Sequence, residues 1–218
     1  MLDGPRLAPL SGGKPKKLVV LLHGVGADGH DLIDIGKHWA PAFPDVAFVA
    51  PDAPDPCDWA PMGRQWFPLT VRDAHEYWQG ASAAAPKLDA FLDAELERQG
   101  LTDADLALVG FSQGTMMALQ VGPRRPREMA GIVAYSGRIA GPERLAAEVK
   151  SRPPVLLVHG ALDEVIPIAA LQETEKALRD AGFPVAAIER PGLGHGIDPQ
   201  GLAAGASFLA RIFATAEI

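Results

Sequence analysis

One serine in this sequence stands in a setting that suits nucleophilic chemistry. Ser112 lies at the centre of Gly110-Phe111-Ser112-Gln113-Gly114, between an apolar run and Met116-Met117-Ala118-Leu119, which is typical of a buried helix. A strand, a sharp turn and a helix in this order hold a serine hydroxyl at the positive end of the helix dipole. The two flanking glycines have no Cβ that could collide with the neighbouring strand and helix. The stretch therefore predicts a serine nucleophile.

A serine hydroxyl also needs a base, and histidine is the side chain that supplies one near pH 7. Downstream of Ser112, Asp163 follows an apolar run and His195 lies in a glycine-flanked loop, which gives the chain order Ser, Asp, His. Asp163 would accept a hydrogen bond from the second imidazole nitrogen and fix the tautomer. Glu164 is the alternative acid. His159 is the alternative base, although it precedes the acid in the chain.

The glycine-rich loop from His23 to Gly29 is the second candidate for chemistry. Such a loop after a central strand can turn a backbone N–H toward a developing oxyanion. We assign the two oxyanion donors to the backbone N–H groups of Val25 and Gln113, and we expect both side chains to be free to vary. The alternative is a dinucleotide-binding loop, but Asp45 precedes the next strand, whereas that motif needs an acid at the strand end. His23 is interpreted either as a core histidine or as a residue that shapes this loop.

The elements around these residues alternate between apolar strands and amphipathic helices. Strands are predicted at 17–22, 46–50, 129–135, 154–160 and 185–188 and in the run before Ser112; helices are predicted at 31–39, 83–99, 168–181 and about 200–213. This alternation predicts a single, mostly parallel sheet with helices on both faces. Parallel strands deliver their following loops to one edge, which brings Val25, Ser112, Asp163 and His195 together. Asp198 is a further candidate acid, but it lies too close to His195 in the chain to be the first choice, and it could instead cap the last helix.

The segment at about 51–80 is rich in proline and carries three of the four tryptophans. A loop of this length is usually functional or disordered, and its aromatic content argues against disorder. We interpret it as a cap whose Trp59, Met62, Trp66 and Phe67 supply apolar walls for an acyl group. The alternative is that these side chains only anchor the loop to the core. The same apolar surface could also serve a homodimer interface.

Length and charge limit the class of the protein. A chain of 218 residues, 48% of them hydrophobic, is most simply one domain spanning residues 1–218. The net charge of −7 gives no attraction to nucleic acid, and no apolar run is long enough for stable membrane insertion. Cys57 is the single cysteine, so an intramolecular disulfide is excluded. The first residues lack a signal sequence, which predicts a cytoplasmic protein. The basic cluster at 124–127 is expected to be solvated.

The sequence resembles the phospholipase/carboxylesterase family, the acyl-protein thioesterase-like branch of the α/β-hydrolases. The resemblance is carried by Leu22-His23-Gly24-Val25-Gly26-Ala27-Asp28-Gly29, Arg64-Gln65-Trp66-Phe67, Gly110-Phe111-Ser112-Gln113-Gly114, His159-Gly160-x-x-Asp163-x-Val165-Ile166-Pro167 and Gly194-His195. It implies an α/β-hydrolase fold and hydrolysis of carboxylic esters, thioesters or lysophospholipids. It also implies a triad of Ser112, Asp163 and His195, with no metal or organic cofactor.

The sequence departs from the thioesterase branch at two positions. Val25 stands where that branch typically has leucine, and Ala27 precedes Asp28 where the branch usually passes directly from glycine to aspartate. We therefore expect a small carboxylesterase that acts on acyl esters through a covalent acyl-enzyme, in preference to a protein depalmitoylase. An acyltransferase and a non-catalytic ligand-binding protein on the same scaffold are the alternatives.

Overall fold

A seven-stranded sheet forms the centre of the protein. The computed structural model describes residues 2–215. The strands are β1 (Arg6–Leu7), β2 (Lys17–Leu22), β3 (Val46–Val49), β4 (Asp55–Cys57), β5 (Ala60–Gln65), β6 (Leu106–Phe111), β7 (Gly131–Tyr135), β8 (Val155–Gly160) and β9 (Val185–Arg190). The large sheet has the order β1-β3-β2-β6-β7-β8-β9, and its pairs are parallel except β1 with β3. The predicted mostly parallel sheet is confirmed.

Helices cover both faces of this sheet. They are α1 (Gly29–Trp39), α2 (Ala74–Gln99), α3 (Gln113–Val121), α4 (Pro142–Glu148), α5 (Ala169–Asp180) and α6 (Pro199–Thr215). Successive strand residues point to opposite faces, so β2 serves two apolar layers. Leu18, Val20 and Leu22 join the layer formed with α2, α3, α4 and α5. Val19 and Leu21 join the layer formed with α1 and α6.

The strand order changes direction at β2. β3 lies on one side of β2 and β6 lies on the other, and Leu22 of β2 is in register with Gly110 of β6. The loops after β2 and β6 therefore leave the same edge from neighbouring strands. In open α/β sheets this is the crevice in which ligands bind.

The segment at 51–80 differs from the predicted loop. β4 and β5 form an antiparallel pair, and α2 begins at Ala74, whereas the sequence placed its start at residue 83. Asp73 caps α2 by accepting the backbone N–H of Glu76 at 2.8 Å. Gly80 lies inside α2, and a Cβ there would come within 2.3 Å of the Phe67 ring. This glycine, which the sequence placed in the loop, is therefore required by packing.

The basic cluster at 124–127 is not fully solvated, so that prediction was wrong. Arg125 is 4% exposed and forms ion pairs with Asp89, Asp93 and Asp103. Burial by itself lowers the pKa of Arg125, but its hydrogen bonds to Asp93 and Asp103 outweigh burial and raise that pKa. This cation ties the start of β6 to α2.

Candidate active site

Ser112 occupies a strained turn between β6 and α3. Its backbone adopts φ 54° and ψ −115°, a region that a residue with a side chain rarely enters. A Cβ on Gly110 would lie 2.5 Å from the Gly114 oxygen, and a Cβ on Gly114 would lie 1.9 Å from the Leu22 oxygen. Only glycine fits at either position. The tight packing of β2, β6 and α3 thus holds the strained serine in place.

Ser112, His195 and Asp163 form a continuous chain of hydrogen bonds. His195 Nε2 lies 3.0 Å from the Ser112 Oγ, and His195 Nδ1 lies 2.7 Å from Asp163 Oδ2. The Asp163 carboxylate accepts a hydrogen bond from the Nδ1–H group, which leaves Nε2 without a proton and free to accept the serine proton. Asp163 Oδ1 accepts the backbone N–H groups of Val165 and Ile166 at 2.9 and 2.8 Å, so the carboxylate is fixed at both oxygens.

The alternative base and acid lie elsewhere. His159 is buried behind Asp163, where its Nε2 donates to the Ile166 carbonyl at 2.8 Å and lies 3.4 Å from Asp163 Oδ2. It supports the acid loop and does not contact Ser112. Glu164 is exposed to solvent.

Two neighbouring residues hold the histidine loop. Ser136 has φ 43° and donates its hydroxyl to the carbonyl of Gly196, the residue after His195, at 3.0 Å. Asp198 accepts the backbone N–H of Gly201 at 2.7 Å, as expected for a cap of α6. It also pairs with Arg190 at the end of β9. Both contacts therefore fix the chain directly after His195.

His23 shapes the loop after β2. Its Nδ1 donates to the Gly24 carbonyl at 2.8 Å, and its Nε2 accepts the Ala53 N–H at 2.9 Å. The Trp66 indole N–H donates to the His23 carbonyl at 2.9 Å. Burial lowers the pKa of His23, and the accepted N–H bond also needs the neutral ring. The glycine-rich loop is thus built on a neutral histidine.

Gln113 does more than offer a backbone N–H. Its side chain is buried, accepts the Trp66 N–H at 2.9 Å and donates to the Phe67 carbonyl at 2.8 Å. The expectation that this side chain could vary freely is therefore wrong. Gln113 is the first residue of α3, where helix N–H groups lack partners within the helix, and both Gln113 and Val25 line the cavity beside Ser112.

A cavity of about 350 Å³ opens beside Ser112 and His195. Its apolar walls come from Val25, Ala27, Trp59, Leu69, Tyr77, Phe111, Met116, Val165 and Ile166. Trp59 is 58% exposed and packs where Gly26 has no side chain, since a Cβ there would lie 2.7 Å from its ring. A larger cavity of about 760 Å³ lies near Leu2 and Phe91, but Ser112, Asp163 and His195 are not among the residues that line it.

The predicted acyl-pocket residues divide between several places. Trp59 lines the cavity beside Ser112. Met62 is 90% exposed on β5 and faces a different surface depression. Trp66 and Phe67 are 1% and 2% exposed, belong to the apolar core and do not line this cavity. They anchor the segment to the core, as the alternative interpretation held.

Three side chains near the loop after β2 could in principle hold a metal ion. The ligand atoms of Asp28, His30 and Asp52 lie within 4.8 Å of one another. Asp28 accepts the backbone N–H of His30, and Asp52 accepts that of Gly29, both at 2.8 Å. Both carboxylates accept backbone N–H groups that lack partners within the first turn of α1, and this capping accounts for their positions.

The fold and this site define an α/β-hydrolase, and comparison with known proteins identifies the branch. Residues 10–213 match the family described as Phospholipase/Carboxylesterase. Esterase YpfH of Escherichia coli (strain K12) is 31% identical over 187 residues, which cover 86% of this chain and 79% of that esterase. Acyl-protein thioesterase 1 of Gibberella zeae is 25% identical over 230 residues, 96% of this chain and 97% of that protein. The crystal structure of esterase PE8 matches with a TM-score of 0.94 at 46% identity, covering 97% of this chain and 99% of that one.

The chain therefore belongs to the phospholipase/carboxylesterase family and is a carboxylesterase-type hydrolase. The resemblance drawn from the sequence is confirmed. Within residues 2–215, none of the helices combines the length and the apolar character that a membrane span requires.

The sequence did not reveal the roles of several residues of the site. Arg72 and Tyr77 line the cavity, and Ser136 and His159 support the two loops that carry the acid and the histidine. The spacing Asp73-x-x-Glu76 resembles a helix capping box and could have placed the start of α2, and thereby Tyr77, near the site. No local pattern marks the supporting role of Ser136 or His159.

Proposed function

We propose that this protein hydrolyses carboxylic esters through Ser112 as nucleophile, His195 as general base and acid, and Asp163 as the residue that orients the histidine. The observation that carries the proposal is the unbroken hydrogen-bond chain, with 3.0 Å from Ser112 Oγ to His195 Nε2 and 2.7 Å from His195 Nδ1 to Asp163. Both distances lie within hydrogen-bond reach, as a nucleophile, its base and the residue that orients the base require.

In the first half-reaction, the Ser112 oxygen attacks the ester carbonyl while His195 Nε2 takes its proton. The carbonyl oxygen becomes an oxyanion, which the backbone N–H groups of Gln113 and Val25 stabilise. His195 then gives its proton to the departing alkoxide, the C–O bond breaks, and the acyl group stays on Ser112. Asp163 stabilises the imidazolium without taking its proton.

In the second half-reaction, His195 takes a proton from water as the water oxygen attacks the acyl carbonyl. The same N–H groups stabilise the second oxyanion. The bond from the carbonyl carbon to the Ser112 oxygen breaks, His195 returns the proton to that oxygen, and the carboxylic acid leaves. The enzyme is regenerated without a cofactor.

The cavity supports a short acyl ester as substrate. Its volume of about 350 Å³ lies near the lower end of the range of about 300–1,000 Å³ that is typical of ligand pockets. Its walls are apolar, which suits an acyl chain, and exposed Trp59 forms one side of its mouth. A long-chain thioester or a lysophospholipid would have to extend well beyond these walls.

The test is hydrolysis of nitrophenyl esters of increasing acyl length by the wild type and by Ser112→Ala. We expect highest kcat/KM for short chains and loss of activity in the variant. A maximum at long chains would favour the thioesterase or lysophospholipase substrates, and unchanged activity in the variant would refute the mechanism. Absence of hydrolysis on every length, with Ser112 labelled by a fluorophosphonate, would favour an acyltransferase. Absence of both would favour a binding protein.

A further inference from the structure

A single permanently charged side chain, on a solvent-exposed residue, lines the cavity beside Ser112. Among the residues that line it, Arg72 is the one arginine or lysine, and the walls are otherwise mainly apolar. The whole chain carries a net charge of −7, so a cation at this position is not a consequence of a generally basic surface.

The backbone at Arg72 is held in a strained conformation. Its φ is 62°, and the two other described non-glycine residues with positive φ are Ser112 and Ser136, which both serve the site. Strain of this kind persists where the surrounding structure enforces it, and it is concentrated at functional sites. Arg72 shares this property with the residue that carries the proposed nucleophile.

Glu76 enforces the strained turn. Its carboxylate accepts three consecutive backbone N–H groups, from Thr70 at 2.6 Å, Val71 at 3.0 Å and Arg72 at 2.5 Å. Burial by itself raises the pKa of Glu76, but these hydrogen bonds outweigh it and lower that pKa. The carboxylate is therefore committed to the backbone, and the turn presents Arg72 at the cavity.

The guanidinium of Arg72 lacks a carboxylate partner. No ion pair links it to any other residue in the described range 2–215. By contrast, Arg138, which lies on the Tyr77 ring with its Cζ 5.5 Å from the centroid, pairs with Glu173 at 3.0 Å. Burial raises the pKa of Tyr77, whereas Arg138 and Arg72 both lower it, so both cations lie near this wall residue. Of these two arginines, Arg72 is the one whose guanidinium N–H groups are not engaged by a carboxylate of the described residues.

We propose that Arg72 is a specificity-determining residue that binds a carboxylate carried by the ester substrate, so that the enzyme prefers singly anionic esters to neutral ones. The inference rests on the proposed ester hydrolysis. A guanidinium fork matches the two oxygens of a carboxylate. One free cation matches one negative charge, which favours a carboxylate over a doubly charged phosphate.

Two matched pairs of esters test this preference and locate the anion. Mono(4-nitrophenyl) glutarate against 4-nitrophenyl pentanoate places the carboxylate on the acyl side. 4-Acetoxybenzoate against 4-acetoxybenzamide places it on the alcohol side. We expect the wild type to favour the anionic member of at least one pair by about 10-fold in kcat/KM, the size of a charge-assisted hydrogen bond. The preference should shrink at 1 M salt, which screens a pair at a cavity mouth.

Variants assign the preference to this side chain. Arg72→Gln should lower the ratio of anionic to neutral kcat/KM by about 10-fold, and Arg72→Lys should retain part of it because the charge remains. The control is Arg152→Gln, which removes the same charge from an exposed residue. Arg152 lies just before the first residue of β8, whereas Asp163 follows the last residue of that strand. This control should leave the ratio unchanged. An unchanged ratio in Arg72→Gln, or no anionic preference in the wild type for either pair, would overturn the proposal.

Binding separates this proposal from the proposed reaction. Equilibrium dialysis of the same ester pairs against Ser112→Ala protein does not depend on turnover. Tighter binding of an anionic ester that is lost in the Ser112→Ala, Arg72→Gln double variant supports the role of Arg72 even if no ester is hydrolysed. Equal binding of both members refutes it even if all four esters are hydrolysed.

Discussion

Replacing Gln113 with alanine would test how the site is tied to the body of the protein. The Gln113 amide joins the start of α3 to the backbone of Trp66 and Phe67, both of which are almost fully buried. Alanine leaves the Trp66 N–H and the Phe67 carbonyl without these partners. The helix itself tolerates alanine well, so the loss lies in the two hydrogen bonds and the removed atoms.

The expected cost follows from those two groups. Each buried backbone group left unsatisfied costs about 1–3 kcal/mol, which gives about 2–6 kcal/mol for the pair. Gln120 offers a matched control in the same helix, since it is 4% exposed and loses the same atoms. Its side chain makes one hydrogen bond, to the partly buried Ser82 hydroxyl at 3.1 Å, and its Oε1 has no partner among the described residues. We expect Gln113→Ala to cost about 2–4 kcal/mol more than Gln120→Ala.

Urea unfolding of the wild type and both variants measures this difference. With an m value of about 2 kcal/mol/M, the midpoint of Gln113→Ala should lie about 1–2 M below that of Gln120→Ala. The m values should agree, so that the change reports stability. Equal midpoints for the two variants would refute the reasoning that the Gln113 side chain holds residues 66 and 67.

Two further outcomes follow from the geometry. Asp163→Asn should lower kcat by about 10⁴-fold because the histidine tautomer is lost, whereas exposed Glu164→Gln should change kcat less than twofold; comparable losses in steady-state assays of the two variants would contradict the assignment of the acid. Burial lowers the pKa of His23 from 6.5, so stability from its neutral ring is present above pH 6.5 and is lost as pH falls toward the folded-state pKa. Below pH 6.5 and down to the folded-state pKa, the unfolding free energy should fall by up to about 1.4 kcal/mol per pH unit more in the wild type than in His23→Gln; parallel pH profiles from urea titrations would contradict it.

The sequence predicted the elements that depend on local apolar pattern. The predicted strands at 17–22 and 154–160 correspond to β2 and β8, because parallel strands buried on both faces read as unbroken apolar runs. The turn at Ser112 was also predictable, since its glycines and the following helix lie within a few residues. The sequence also predicted that Ser112, Asp163 and His195 would lie close together, because parallel strands deliver their following loops to one edge of the sheet. In the structure these three side chains are joined by hydrogen bonds.

The features that could not be predicted from the sequence depend on contacts between residues that are far apart in the chain. Gly80 was placed in the loop before the predicted helix, but it lies inside α2, and the Phe67 ring that requires a glycine there belongs to another segment. Arg125 appeared to be solvated, but its three carboxylate partners are 22 to 36 residues away. The Gln113 side chain gained its role only from the folded position of residues 66 and 67. Periodicity carries no information about such pairings.

Transfer of an acyl group to Ser112 is the step that decides the mechanism. Mixing the enzyme with a nitrophenyl ester, quenching in acid during turnover and measuring peptide masses tests it directly. We expect the acyl mass on the peptide that contains Ser112, no adduct in Ser112→Ala, and a kcat in that variant lower by about 10⁴- to 10⁶-fold. An acyl adduct on another residue, or full activity in Ser112→Ala, would contradict the mechanism.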